Sequence, residues 1–209
     1  MSNAVAWHPD PAWVASSVVA LLVVAALVQL LRWYRRRRAR AALVAAIAGC
    51  GFEHRHNVMV PDGQGGNLHV DFLLLTVRGV VVIDLRDVAG NIFGGDQMTA
   101  WTVMHHARRY TFANPQTGLY DRIAAVRALT EDVPVEGRIL FTRRGKFPKG
   151  LPRWTLMVDS LRTEFPAVDS EAAQGWIERY REGWNILSAG VSPSPLRRRR
   201  GFLAQVFAE

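Results

Sequence analysis

The longest apolar run in the chain lies near its start. Ala12 to Leu31 reads AWVASSVVALLVVAALVQLL, with no charge and only Ser16, Ser17 and Gln29 as polar side chains. A helix of that length rises about 30 Å, the thickness of a hydrocarbon core. A lone segment can satisfy its backbone polar groups in lipid only as a helix. The pattern therefore predicts a single transmembrane helix over residues 12–31. RWYRRRRAR follows, carrying Arg32, Arg35, Arg36, Arg37, Arg38 and Arg40, whereas the residues before the run hold only Asp10 as a formal charge. A cleaved signal peptide has the opposite order, positive charge first and small residues after. The positive-inside rule then sets the expected topology at the cell membrane. Residues 1–11 lie outside, residues 32–40 form a basic juxtamembrane segment, and the rest of the chain lies in the cytoplasm. Trp7 and Trp13 fall at one boundary and Trp33 and Tyr34 at the other, where amphipathic rings prefer to sit.

Beyond the arginines the pattern changes. Residues 39–49 are rich in Ala and read as helix, stopped by Gly49 or Gly51. His56 to Val60 reads as a short strand, and PDGQGG, residues 61–66, as a loop. Leu68 to Val77 and Val80 to Leu85 are apolar and β-branched runs separated by Arg78-Gly79. That arrangement predicts an antiparallel hairpin buried on both faces. Gly90 to Gly95 and Thr99 to Met104 read as shorter strands around a Gly-Gly-Asp turn. Asn114-Pro115 opens a helix running to Leu129, with Asn as N-cap and Pro at the first helical position. Arg138 to Thr142 and Trp154 to Val158 read as late strands on either side of a basic loop, RRGKFPKGLPR. Ser170, as N-cap, opens a last helix to Leu187. The order of elements predicts one compact α/β domain over residues 41–190 and a flexible basic tail over 191–209.

Charge refines this picture. The formal net charge is +8, but residues 41–196 carry sixteen basic and sixteen acidic side chains and are neutral. The excess is confined to the two flanking runs. The first suits anionic lipid headgroups. The second, Arg197 to Arg200, is open between lipid, nucleic acid and plain solvation. Bulk charge therefore makes no case for nucleic acid on the domain itself. The lone Cys50 cannot form an internal disulfide, which suits a reducing compartment.

Candidate chemistry gathers at one end of the predicted hairpin. Pairing across Arg78-Gly79 brings Asp71 near Asp84 and Arg86, and residues two apart on a strand share a face. Two carboxylates there suit a hard cation such as Mg²⁺, which polarises a phosphate and lowers the pKa of a bound water. The plainer reading is a solvated strand end with a turn carboxylate. His69, together with His105-His106, offers either a metal site or an exposed strand pair. PDGQGGN lacks the GxxxxGK[ST] order of a phosphate loop.

The order of these pieces resembles the nuclease-related domain, or NERD, family, which is related to the PD-(D/E)xK nucleases. The resemblance runs from about Ala41 to Asp159 and rests on HNVMVPD, HVDFLLLTVRGVVVIDLR, the Gly90–Ile92 turn and strand, Trp101, Asn114-Pro115, RILFT and LMVD. It implies a nuclease-like domain with a central mixed β-sheet flanked by helices. It implies Asp71 and Asp84 as metal ligands for Mg²⁺ or Mn²⁺, Arg86 as a third catalytic residue, and DNA or RNA as partner. The sequence departs from the family pattern in four places. A glutamate expected early in the first helix has no match near Arg38, Ala39 and Arg40. Asp84 replaces the usual Glu. Arg86 replaces the usual Lys and stays protonated, so it is a poor base. Gly118 stands where a glutamine is common, and Gln116 lies on another helix face. Together these departures imply weak or lost catalysis, with a non-catalytic interaction module tethered at the membrane as the alternative.

Overall fold

The computed structural model describes residues 11–130, 132–166 and 170–195, with side chains described from Val19 and, in the last helix, from Ala173. The chain divides into two compact units, Met1–Ala46 and Ile47–Glu209. The first described element is one helix, α1 (Pro11–Ala48), which runs from the apolar segment through the arginines without a break. It ends as expected, with the Cys50 and Gly51 amides donating to the Ile47 and Ala48 carbonyls.

The expected transmembrane helix is overturned. Among the described residues no helix is long and apolar enough to cross a membrane. The apolar stretch with described side chains begins at Val19 and is ended by Arg32. It rises about 20 Å, short of the roughly 30 Å hydrocarbon core. Residues 12–18 of the expected span, Trp13 among them, lie outside the described side chains, and Trp7 lies outside the described residues. The arginines continue the same helix, and the Arg37 guanidinium lies 5.3 Å from the Trp33 ring centroid, one turn back. The single-pass anchor and the lipid partner that rested on it are withdrawn.

In the second unit the strands are β1 (Glu53–Pro61), β2 (Asn67–Thr76), β3 (Gly79–Arg86), β4 (Gly90–Phe93), β5 (Ala100–His105) and β6 (Arg108–Ala113). Helix α2 (Pro115–Thr130) follows, then β7 (Val135–Phe141), β8 (Gly145–Lys146) and β9 (Thr155–Met157). A 3-10 turn, the short α3 (Leu161–Glu164), α4 (Ser170–Gly190) and β10 (Ser192–Pro193) complete the described chain. The main sheet has the order β10-β1-β2-β3-β7-β9. It is mixed: β1, β2 and β3 pair antiparallel, while β7 pairs parallel with β3 and β9 parallel with β7. A parallel neighbour requires a crossover. Here the chain between β3 and β7 forms most of a second sheet, β6-β5-β4-β8, and then α2.

The β2–β3 hairpin turns where the sequence predicts, with Thr76 opposite Gly79. Gly79 has φ 107°, and a Cβ there would collide with the Pro134 carbonyl. Glycine thus lets the entry to β7 press against the turn, and the Val80 amide donates to the Pro134 carbonyl at 2.9 Å. Strand β3 is buried from Gly79 to Leu85, as its apolar run predicts. Its Val80 and Val82 join Leu73 and Leu75 of β2, Ile139 and Phe141 of β7, Leu119 and Val126 of α2, and Trp184 of α4 in one core. On the opposite face Leu74, Val81, Ile83 and Leu140 are fully buried too, so both faces of the sheet are covered.

Trp101 of β5, also fully buried, ties the second sheet to this core. It stacks on Phe141 at 6.1 Å between ring centroids and meets Phe112 and Phe147 edge-on. Strand β6 is absent from the sequence reading. RRYTFA offers only Tyr110 and Phe112 as an apolar face, and its identity comes from pairing Phe112 against Trp101. The late strand is shorter than predicted: Val158 already belongs to the 3-10 turn. The side chain of Ser170 and the whole of Arg197–Arg200 lie outside what is described.

Candidate functional site

Alternation along β3 builds the site. Val80 and Val82 face the core that α2 covers, so Asp84 and Arg86, two and four residues further on, are directed to the same side. Asp84 is buried, 4% exposed. Arg86 Nη2 donates to Asp84 Oδ2 at 2.6 Å. From α2, Arg122 Nη1 stands 3.8 Å from the same oxygen. Arg122 is held in place by its own donations, Nε to the His69 carbonyl and Nη1 to the Gly118 carbonyl. Gly118 leaves the room for that fold-back, since a Cβ there would stand 2.8 Å from Arg122 Nη1.

Asp71 arrives from β2. Carrying the register one step past Phe72–Ile83 sets it opposite Asp84, so the hairpin brings the two aspartates to one end as the sequence predicts. Asp71 Oδ2 accepts the Leu85 amide at 2.8 Å and extends the ladder by one bond. The alternation slips by one residue at this point. Leu75 and Leu73 belong to the core on one side of Asp71, and Val70 on the other. On β1 the facing residue, Asn57, has φ 54°, and its Oδ1 lies 3.0 Å from His69 Nε2. His69 is thus engaged with Asn57. His105 and His106 sit at the β5–β6 turn with ring centroids 4.3 Å apart.

Between β3 and the start of α2 lies a pocket of about 260 Å³, lined by Arg86, Ala113, Asn114, Pro115, Thr117, Gly118 and Arg122. Asn114 caps α2 as predicted, its Oδ1 accepting the Gln116 amide at 2.9 Å. Gln116 is buried and turns away from the pocket. Its Nε2 donates to Asp96 Oδ1 and to the Arg153 carbonyl, both at 2.8 Å. The Arg153 amide also donates to Asp96 Oδ1. Hydrogen bonds from the Gln116 side chain, and then from the Arg153 amide, hold the Asp96 carboxyl below its usual range.

The donor set does not fit a resident Mg²⁺ or Mn²⁺. Such ions take several oxygen ligands. Here Asp84 Oδ2 already meets two guanidiniums, and Asp71 Oδ2 takes a backbone amide. Among the described residues no group of three or more His, Cys, Asp and Glu is placed to hold a metal ion. A dication beside Arg86 and Arg122 meets a repulsion of about 4 kcal/mol per unit charge pair at 4 Å in a surface-like dielectric. Asp71 and Asp84 balance Arg86 and Arg122 in number at this end, but of these only the two guanidiniums line the pocket, which suits an anion there.

Arg122 is the residue that sequence reasoning missed. Its signal is weak but present: it lies one turn after Gly118 and at the margin of the apolar set Leu119 and Val126. Nothing local says which strand it meets.

A mixed sheet whose central strand ends in Asp-x-Arg beneath a helix start defines an α/β domain of nuclease-like design with arginines at its acidic centre. The chain belongs to the nuclease-related domain, or NERD, family, whose model matches residues 35–142, just over half of its length. The match contains Asp71, Asp84, Arg86, Gly118 and Arg122 and ends with β7, so the basic loop and Trp154 lie beyond it. An uncharacterized protein of Bacillus anthracis is 29% identical over 76 residues. That stretch is 36% of this chain and 36% of the relative, so the chain spans about a third of the relative's length. No solved structure matches the chain.

Proposed function

We propose that this NERD-family protein binds nucleic acid through its phosphate backbone, with Arg86 and Arg122 as the phosphate ligands, and that metal-dependent cleavage has been lost. The observation that carries this reading is that two guanidiniums, Arg86 and Arg122, line one pocket while the carboxylate they share, Asp84, is buried behind them. The charged side chains that line the pocket are both guanidiniums, the complement of phosphodiester oxygens. Guanidinium–phosphate hydrogen bonds are charge-assisted and accept a forked geometry. The Arg86 departure, awkward for a nuclease, supports a phosphate ligand. Local neutrality elsewhere on the domain implies few phosphate contacts. Two contacts to a single strand give a salt slope near −1.4, from about 0.7 per neutralised phosphate.

The test is fluorescence anisotropy of the full chain with labelled single-stranded and duplex oligonucleotides, alongside a cleavage gel in millimolar Mg²⁺ or Mn²⁺. The expected result is salt-dependent binding that Arg86→Met and Arg122→Met each weaken, with no cleavage. Metal-dependent cleavage abolished by Asp71→Ala and Asp84→Ala overturns it in favour of the enzyme. Absence of binding to any nucleic acid overturns it in favour of an interaction module for another partner.

A further inference from the structure

The first turns of α2 have two flanks. Gly118 and Arg122, one turn apart, line the arginine pocket. Gln116 and Tyr120, also one turn apart, lie on the other flank and touch the end of the basic loop and the residue after it. Gln116 bonds the Arg153 carbonyl, and the Tyr120 hydroxyl accepts the Trp154 indole N–H at 3.0 Å. Trp154 is 37% exposed and Tyr120 51% exposed, so neither ring is committed to the core. Trp154 also holds a left-handed backbone, φ 62°. A bulky residue at positive φ is an outlier, and such strain concentrates at functional sites. Its carbonyl accepts the Ile139 amide at 2.7 Å, which fixes the residue to β7.

Two guanidiniums approach this ring, one of them, Arg138, already paired with Glu136 and Glu164. The Arg138 and Arg153 guanidiniums lie 5.3 and 5.7 Å from its centroid. Lys146 and Lys149 are exposed on the same loop, whereas Arg143 and Arg144 are paired with Asp159 and Asp87. The two flanks are separated by a helix width, about 10 Å.

Resting on the phosphate-binding reading, we infer that Trp154 and Tyr120 form a stacking site for an unpaired base of the strand whose phosphate occupies the Arg86–Arg122 pocket. Every base has a π face, so such a platform tolerates sequence. Bases in a duplex are already stacked on one another and do not reach it. The ligand is therefore single-stranded nucleic acid, and the hydrogen bonds that join buried Gln116 to Asp96 and Arg153 act as positioning contacts that keep the platform at a fixed distance from the pocket.

The experiment compares three probes on the full chain by anisotropy: a short oligo-dT, an abasic strand of equal length, and a duplex. The phosphate reading predicts that all three bind and that Arg86→Met weakens all three. The stacking site predicts tighter binding of oligo-dT than of the abasic strand. Trp154→Gly removes the ring and suits the positive φ. It is expected to weaken oligo-dT roughly five- to a hundredfold and leave the abasic strand unchanged. Tyr120→Ala, on an exposed helix position, shifts oligo-dT in the same direction, and Trp154→Phe retains part of the preference. Equal binding of oligo-dT and the abasic strand overturns the stacking site while the phosphate reading stands. So does Trp154→Gly weakening both alike, since the residue then acts only on the fold. Failure of the abasic strand to bind overturns the phosphate reading and this inference with it.

Discussion

Two arginine–carboxylate clusters flank the same pair of strands, and they differ in what the guanidiniums face. In one, Arg78 and Arg138 meet Glu136 and Glu164 at 2.6 to 3.5 Å. Two cations face two anions, and both guanidiniums also lie over the Phe165 ring. In the other, Arg86 and Arg122 share Asp84, and both open onto a pocket. A balanced cluster closed by an aromatic ring is complete in itself and serves as a clamp between β7 and α3. The second cluster instead turns its guanidiniums to an open pocket, which suits the anion proposed for it. On the proposed reading the same residue types serve structure in one place and recognition in the other, and the open pocket tells them apart.

The sharpest way to break that contrast is to injure each cluster and read both stability and binding. Arg138→Leu is expected to cost the most stability, about 2–3 kcal/mol, seen as a Tm drop of roughly 5–10 °C. The figure sits below that of a fully buried pair because Glu136 and Glu164 remain 25% and 30% exposed. Its effect on oligonucleotide affinity at a temperature where it is folded should be small. A large binding loss would erase the distinction between the clusters.

Arg86→Met and Arg122→Met are expected to weaken oligonucleotide binding about tenfold or more each and to reduce the salt slope by roughly 0.7. Their stability cost should be smaller than that of Arg138→Leu. Asp84→Asn gives the test of sign. Removing this anion strengthens phosphate binding several-fold if the pocket is an anion site, an effect of about 1 kcal/mol. If the site held Mg²⁺, the same change would abolish metal-dependent thermal stabilisation. Titration with millimolar Mg²⁺ should leave the Tm of the unmodified chain unmoved.

The smallest expected effect lies away from both clusters. Glu53 accepts the Trp184 indole N–H at 2.7 Å and an Arg181 N–H at 2.6 Å. The Trp184 bond first, then Arg181, holds its carboxyl below the ordinary 4.5. A carboxyl depressed in the folded state adds stability that is fully present above that ordinary value and lost as pH falls through the lower, folded one. Glu53→Gln should therefore cost about 1 kcal/mol at neutral pH, discounted for an exposed partner. It should also flatten the acid limb of a denaturation series run from pH 7 to pH 3. An unchanged acid limb would mean that Glu164, held low chiefly by Arg138, dominates that limb.

Much of the fold was legible because its signals are local. Arg78-Gly79 between two apolar runs can hardly be read as anything but a hairpin turn. Asp84 and Arg86 meet because two strand residues apart is one face, whatever the rest of the chain does. Asn114-Pro115 caps and starts its helix with atoms from three adjacent residues. The order of these pieces sufficed to place the chain in its family.

Other features depend on partners distant in sequence. Strand β6 exists because Phe112 finds Trp101. Arg122 became a site residue because the crossover laid α2 over the end of β3, and that placement turned a candidate metal centre into a candidate phosphate pocket. Trp154 reads as an ordinary strand start in the sequence, and only its docking on Tyr120 leaves the ring exposed at positive φ. The apolar run near the N-terminus marks the reverse error, a strong local pattern whose described part is one exposed helix interrupted by arginine too soon to span a bilayer. Short-range pattern determined the turns, caps and strand faces of this protein. Which charges would share a carboxylate was decided only by packing, because an arginine's partner is set by where its helix comes to rest.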